Sequence, residues 1–404
     1  MFRQGAPCAS RRSSRSTRAD GSFTTVKSVI RIPGSSAITF LLGLAAVAAG
    51  CTAPTRAAEP IPLPDSGKTY FPATEWRTLP ARGAGFDENR LTLLRADVTR
   101  GKYGSIHGVL VVRYGFLVHE QYNAWSRDQL HTMQSVTKSV TSLLFGIANT
   151  AQPVTLAIDR PVLDLFARYS TIANVDDSKR VLTLRHLLTM RTSMDFWEQP
   201  YAGSPLDQLN TSRGDWIKFV LDRRMLGTPG TDWAYNSGAA IVIGGAIREA
   251  MGEGVDAFAQ RELFTPIGIP SVSWARSSFD GLPHCGGGLG LRSVDLARIG
   301  YLVLRHGTWG TRQIVPSDWI EASTRIDSHG PTLLFSNFGS SYGYFWWLFP
   351  RQRGGSGAEI IAASGSGGQW LFIVPSLDLV VVVIAADGDG LDLLYDGVLP
   401  AIVE

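Results

Sequence analysis

The sequence predicts an α+β fold, on three observations. Strand-like apolar runs lie near both ends of the chain, at Val109–Arg113 with Phe116–Tyr122 and at Trp370–Val374 with Leu379–Ala385. The residues between them carry mostly helical or loop patterning. No βα alternation runs through the 404 residues. Terminal strands around central helices imply one antiparallel sheet, built from the N- and C-terminal segments and flanked by helices, with a mostly helical insertion. A composition 44% hydrophobic and 18% charged suits a chain with a substantial core.

The elements follow in order. The first 51 residues hold Arg3, Arg11, Arg12, Arg15, Arg18, Lys27 and Arg31 against Asp20 alone, a net +6. The whole chain is +3, so the remainder is −3. The basic pI therefore comes from the N-terminus and does not argue for nucleic-acid binding. Ile38–Ala49 is apolar, too short for a comfortable membrane span, and ends in small residues before Cys51. This resembles a bacterial lipoprotein signal, cleaved before a lipidated Cys51, with Ala48 at a position where leucine is usual. The chain is then expected to be exported and anchored in a membrane through that lipid. Val26–Arg31 makes a complete signal start by itself, so translation is expected to begin near residues 26–29. Pro60, Pro62 and Pro64 place a flexible tether over residues 52–80. The domain proper is expected at 81–404, with its sheet region at about 85–155 and 290–404 and its helical region at about 156–289.

Within the domain, Tyr114-Gly115 joins the first two strands as a hairpin. Val140, Leu143, Leu144 and Ile147 recur at helical spacing and predict an amphipathic helix opening near Ser135. Its other side carries Ser135, Ser139, Ser142 and Gly146, small enough to lie close against a sheet. Further helices are expected at Leu184–Met190, Trp216–Leu226, Ala239–Met251 and Leu391–Ile402. Pro375-Ser376-Leu377-Asp378 turns the second hairpin.

Chemistry enters at Ser135-Val136-Thr137-Lys138. One helical turn separates hydroxyl from amine, so both can face one cleft. A capping serine and a solvated lysine have the same spacing. Lysine is scarce here, however, at Lys27, Lys68, Lys102, Lys138, Lys179 and Lys218 only, and Lys138 enters an apolar helix. Lysine serves as a base only when its pKa falls. Tyr235, in Tyr235-Asn236-Ser237-Gly238, stands at a loop-to-helix junction, where a phenolate beside an ammonium would accept the serine proton. Ser364-Gly365-Ser366-Gly367-Gly368-Gln369 leads into a strand, and its edge at Ser366 and Gly367, with the Ser135 N–H, is a candidate oxyanion hole. Gly339-Ser340-Ser341-Tyr342-Gly343 satisfies Gly-x-Ser-x-Gly, but an aromatic strand-like run follows it where a nucleophile elbow needs a helix. The cysteines are Cys8, Cys51 and Cys285. Cys285, beside His284, is expected to be a small buried residue rather than a nucleophile. No Cys or His spacing suggests a metal, and no cofactor is expected.

These motifs occur in the order found in the beta-lactamase-related serine hydrolases, which the chain resembles over about residues 85–400. That family includes class C beta-lactamases, D-alanyl-D-alanine carboxypeptidases, esterases and 6-aminohexanoate-dimer hydrolase, and the last looks nearest. Leu184-Arg185-His186-Leu187-Leu188-Thr189-Met190, Asp295-Leu296-Ala297-Arg298-Ile299-Gly300 and Tyr342-Gly343-Tyr344-Phe345-Trp346-Trp347 support the same resemblance. It implies a beta-lactamase/transpeptidase-like fold and an acyl-enzyme on Ser135. Lys138 and Tyr235 would act as the base pair. Ser237 would sit at the third motif position, hydrogen-bonded near Lys138, with Asn236 in support. The family's Lys-Thr-Gly is absent, since Ser364-Gly365-Ser366-Gly367 stands there with no cation to hold a substrate carboxylate. That shifts the expected substrate from beta-lactams to a small ester or short amide. Trp197, Tyr201, Trp233 and Trp370 are candidates for an acyl pocket. A beta-lactamase or D,D-carboxypeptidase, and a catalytically silent envelope-binding protein, are the competing readings. The sequence does not set the oligomeric state.

Overall fold

The computed structural model describes residues 70–329 and 335–403. The signal segment, Cys51 and residues 52–69 of the expected tether lie outside the described residues. Helix α1 (Glu88–Thr99) is capped by Asp87, whose carboxylate accepts from the Asn89 and Arg90 N–H groups. Strands β1 (Gly104–Arg113) and β2 (Phe116–Tyr122) follow. Tyr114 and Gly115 turn between them at positive φ, 55° and 83°, as a two-residue hairpin requires. The short β3 (His131–Thr132) leads to α2 (Val136–Ala151). The helical insertion contains α3 (Leu184–Leu188), α4 (Trp216–Leu221) and α5 (Ser237–Met251). Then come β4 (Leu289–Leu291), α6 (Ser293–Leu304), α7 (Ser317–Ser323), and strands β5 (Ser328–His329), β6 (Ser341–Tyr342), β7 (Trp347–Phe349), β8 (Ile360–Gly365), β9 (Gln369–Val374) and β10 (Leu379–Gly388).

The main sheet is antiparallel, in the order β2-β1-β10-β9-β8-β7-β6-β5. The two ten-residue strands, β1 and β10, pair side by side as the second and third strands of that order, with Val109 opposite Val383 and Val112 opposite Val380. Both faces of β10 are covered, and Leu379 to Ile384 are all 0% exposed. That is why β10 reads as a continuous apolar run and not as an alternating one. Helix α6 lies against β1, β9 and β10. Gly300 permits that approach, since a Cβ there would come within 2.7 Å of Leu371 and Val380 side-chain atoms. No helix among the described residues is long and apolar enough to cross a membrane.

Three expectations need correction. Residues 70–80 are not tether but part of the domain. Trp76 is 6% exposed and donates to the Val294 carbonyl. The buried Arg298 guanidinium donates to the Pro72, Thr74 and Ile267 carbonyls, so the segment satisfies a cation that would otherwise be stranded. Helix α2 has no broad solvated face, since Val136 to Gly146 are all buried. Its small-residue side receives more than a sheet. The Trp319 indole of α7 sits over Gly146 and donates to the Ser142 carbonyl, while Ser139 donates to the Phe345 carbonyl. The closing segment is helical, but it passes from an α turn (Gly390–Asp392) through wider turns (Leu393–Val398) to a tight one (Leu399–Ala401) that contains Pro400.

A methyl group at Gly146 would lie 2.2 Å from Trp319 Cδ1. Helix propensity alone favours alanine by about 1 kcal/mol, whereas overpacking costs about 1–3 kcal/mol. Gly146→Ala is therefore expected to lower the urea midpoint, while Val154→Ala, at a position 83% exposed, leaves it in place. An unchanged or raised midpoint for Gly146→Ala would contradict this packing.

Candidate active site

Helix α2 starts in a constrained way. Gln134 takes φ 48°, rare for a residue with a side chain, and Ser135 follows as the N-cap at φ −68°, ψ −7°. The Ser135 side chain makes no capping hydrogen bond. The Met133 N–H donates to Leu289 of β4, which pins the residues just before the serine. The end of β8 lies beside them, and a Cβ on Gly365 would come 2.4 Å from the Met133 carbonyl. Only glycine lets the Ser364–Gly368 edge approach the start of α2 so closely.

Lys138 is 1% exposed, which rules out a solvated lysine. Its Nζ lies 2.8 Å from Ser135 Oγ and donates to the Gly286 carbonyl at 2.6 Å. Burial lowers its pKa to about 8, and the nearby Glu198 charge opposes that fall. Two threonines hold the Gly286 segment against α2. Thr141 donates to the Cys285 carbonyl at 2.9 Å, and Thr137 Oγ1 accepts from the Leu289 N–H at 3.2 Å. Cys285 is fully buried, and desolvation pushes its thiol up to about 12, so it is an inert packing residue.

Tyr235 approaches from the other side. The Lys138 Nζ is 4.8 Å from its ring centroid, and the tyrosine faces the Ser135 side of the cavity. Burial, and then the Glu198 charge, raise the tyrosine pKa, with only partial opposition from the serine contact. Burial thus disfavours the charged form of each member of the expected pair, the Tyr235 phenolate and the Lys138 ammonium alike. Asn236 caps α5, its Oδ1 accepting from the Ala239 N–H and its Nδ2 donating to Thr192. Among the described residues, the hydrogen bonds of Lys138 Nζ go to Ser135 and Gly286 and not to Ser237. Ser237 is held instead at the first turn of α5, where its N–H donates to Glu198 Oε1 at 2.5 Å.

Glu198 was not legible as a site residue. It lies in Phe196-Trp197-Glu198-Gln199, with no spacing that links it to Ser135. Its neighbour Trp197 was the only signal. The Gly286 carbonyl was equally hidden, although the Gly286-Gly287-Gly288 run marked an unusual backbone.

Ser135 opens into a cavity of about 810 Å³. Trp197, Trp233 and Trp370 line it as expected, joined by Phe196, Phe335 and Trp347, while Ser364 to Gly368 form one edge. Tyr201 is not in the lining; it is 45% exposed and its hydroxyl accepts from Asn210. The lining contains Glu198 and Asp387 and neither lysine nor arginine. The Gly-x-Ser-x-Gly match is indeed no elbow: Ser341 and Tyr342 are the buried strand β6, antiparallel to β7.

The profile of the Beta-lactamase family matches residues 99–396. The chain belongs to the beta-lactamase family, a family of serine hydrolases. Among curated proteins it is 29% identical to Esterase EstB of Burkholderia gladioli over 174 residues, 40% of this chain and 43% of that protein. The chain thus aligns with less than half the length of that relative. Similar solved structures include a Bacillus anthracis protein assigned as a 6-aminohexanoate-dimer hydrolase (TM-score 0.64, 20% identity, 80% of this chain and 86% of the other). The octameric penicillin-binding protein homologue from Pyrococcus abyssi also matches (TM-score 0.59, 18% identity, 76% and 77%). These likenesses show the shared beta-lactamase/transpeptidase-like fold.

Because Glu198 raises the Lys138 pKa, Glu198→Gln should lower it further. NMR of isotope-labelled lysine side chains is expected to show the Lys138 midpoint, near 8, moving to lower pH in the variant. A midpoint that stays in place would remove Glu198 from the electrostatics of the site.

Proposed function

We propose that this chain cleaves a small ester or short amide through an acyl-enzyme on Ser135. The observation that carries the reading is a desolvated Lys138 Nζ 2.8 Å from Ser135 Oγ. Neutral Lys138 takes the serine proton as Oγ attacks the substrate carbonyl carbon. The carbonyl oxygen becomes an oxyanion, held by the backbone N–H groups of Ser135 and the Ser366–Gly367 edge. Tyr235, kept protonated by burial, donates its proton to the leaving group and is reprotonated from Lys138. The C–O or C–N bond breaks, leaving the acyl ester. Water then attacks that ester. Its proton passes through Tyr235 to Lys138 and on to Ser135 Oγ as the acid departs. Ser237 and Asn236 support the junction that carries Tyr235.

Esters and short amides are favoured over beta-lactams by the charges around the cavity. Two carboxylates and no cation in the described lining oppose a substrate carboxylate. We also propose, from the sequence, that Cys51 is lipidated and anchors the exported domain to a bacterial membrane. Protease shaving of intact cells and mass spectrometry of the mature N-terminus test this; an unmodified N-terminus at another residue would exclude it.

Purified protein is expected to turn over p-nitrophenyl acetate or butyrate, with Ser135→Ala reducing kcat/KM by at least about a thousandfold. Efficient nitrocefin hydrolysis would favour a beta-lactamase instead. Absence of turnover, with no acyl adduct by mass spectrometry, would leave a binding protein. Since the base is neutral lysine, its active fraction falls as pH drops below its pKa. The kcat/KM is expected to rise about tenfold per pH unit up to about 8 and then level. A profile flat through that range would exclude Lys138 as the base.

A further inference from the structure

The charges of the cavity are unequally committed. Glu198 accepts from the Ser237 N–H and acts on Lys138 and Tyr235. The Asp387 carboxylate makes no hydrogen bond or ion pair among the described residues, yet the residue lines the same cavity. It stands near the end of β10, where the strand is pressed against the Ser366–Gly368 turn. A Cβ on Gly367 would lie 2.9 Å from the Ala386 carbonyl, and one on Gly368 2.4 Å from the Gly388 carbonyl. Just beyond, Gly390 sits against the Trp370 indole, where a Cβ would come 2.3 Å from Cδ1. Asp387, exposed itself, therefore stands at the rim of the cavity, next to the turn of the proposed oxyanion edge and across the same cavity from an aromatic wall. That wall is continuous: ring centroids are 5.1 Å apart for Trp370 and Phe335, 4.9 Å for Phe335 and Trp347, and 5.8 Å for Trp347 and Trp233.

Aromatic faces are electronegative and attract cations, most of all weakly hydrated alkylammonium groups. An unpaired carboxylate at the rim of the same cavity adds a Coulomb attraction that water and salt partly screen. A neutral apolar substrate would use the rings but leave Asp387 unused, and an anionic one would be repelled by both carboxylates. We infer that the preferred substrate carries an alkylammonium group, on its acyl or its alcohol part, seated on the Trp370–Phe335–Trp347 wall with Asp387 as its counter-charge. This rests on the hydrolase reading and names the substrate class for it.

The test compares cationic esters with neutral isosteres that replace nitrogen by carbon. One pair is acetylcholine and neohexyl acetate. The other is the p-nitrophenyl ester of gamma-trimethylammoniobutyrate and its tert-butyl counterpart. In at least one pair, kcat/KM is expected to favour the cation by about tenfold or more. Added salt should shrink the ratio. Asp387→Asn should bring the ratio toward one, and Asp387→Glu should restore most of it, with thermal melting used to check that both variants fold. Ser135-dependent turnover of p-nitrophenyl acetate with no cation preference in either pair overturns the inference and leaves the hydrolase reading standing. A preference that survives in folded Asp387→Asn also overturns it. No turnover of any ester, with no acyl-enzyme on Ser135, overturns both.

Discussion

The site depends on one buried cation that has no carboxylate hydrogen-bonded to it. An ammonium moved out of water loses several kcal/mol of hydration. Lys138 recovers only part of this from one hydroxyl, one carbonyl and the face of one aromatic ring. That shortfall lowers its pKa, as the base of the proposed mechanism requires. The neighbouring structure keeps the shortfall in place. Thr137 and Thr141 hold the 285–289 segment along α2, so the Gly286 carbonyl stays on Nζ. Cys285 fills the space behind it as an apolar residue, close against Gly244 of α5. A tight ion pair here would relieve the cation and undo that lowering.

Glu198 sets how far that tuning goes. Its carboxylate is near enough to raise both Lys138 and Tyr235, but its oxygen is engaged by the Ser237 N–H at the start of α5. The start of a helix favours negative charge, so the carboxylate has its own reason to be there. The result is a graded arrangement, with an amine lowered toward neutrality beside a phenol raised away from ionisation.

What the sequence disclosed follows from distance along the chain. Both hairpins were legible because two-residue periodicity and the turn residues Tyr114-Gly115 and Pro375–Asp378 are local. The Ser135–Lys138 pair was legible because one helical turn fixes it. Tyr235 was legible as a position, from the junction ahead of α5, but the burial that raises its pKa was not, because burial is not written in a tripeptide. Glu198, the Gly286 carbonyl and Asp387 come from three other segments, which only the tertiary fold brings to one cavity. The packing of residues 70–80 was hidden for the same reason. Prolines upstream suggested a tether, while the demand for carbonyls came from Arg298, far along the chain.

The pairing of β1 with β10 has a consequence for how the molecule is made. Val109–Val112 is among the first strand segments to leave the ribosome, and Val380–Val383 is the last long one. Until the second arrives, β1 has β2 on one edge and an apolar, unpaired edge on the other, which is a hazard for association with other chains. This pairing is thus a long-range closure that cannot form during most of synthesis, and such closures fold slowly. The helical insertion, dominated by contacts closer in sequence, is free to organise earlier. Assembly of the catalytic cleft therefore waits on the final strand, since the Ser364–Gly368 edge gains its place only when β9 and β10 dock onto β1. A chain cut short before β10 would hold Ser135, Lys138 and Tyr235 and still lack the strand on which their alignment depends.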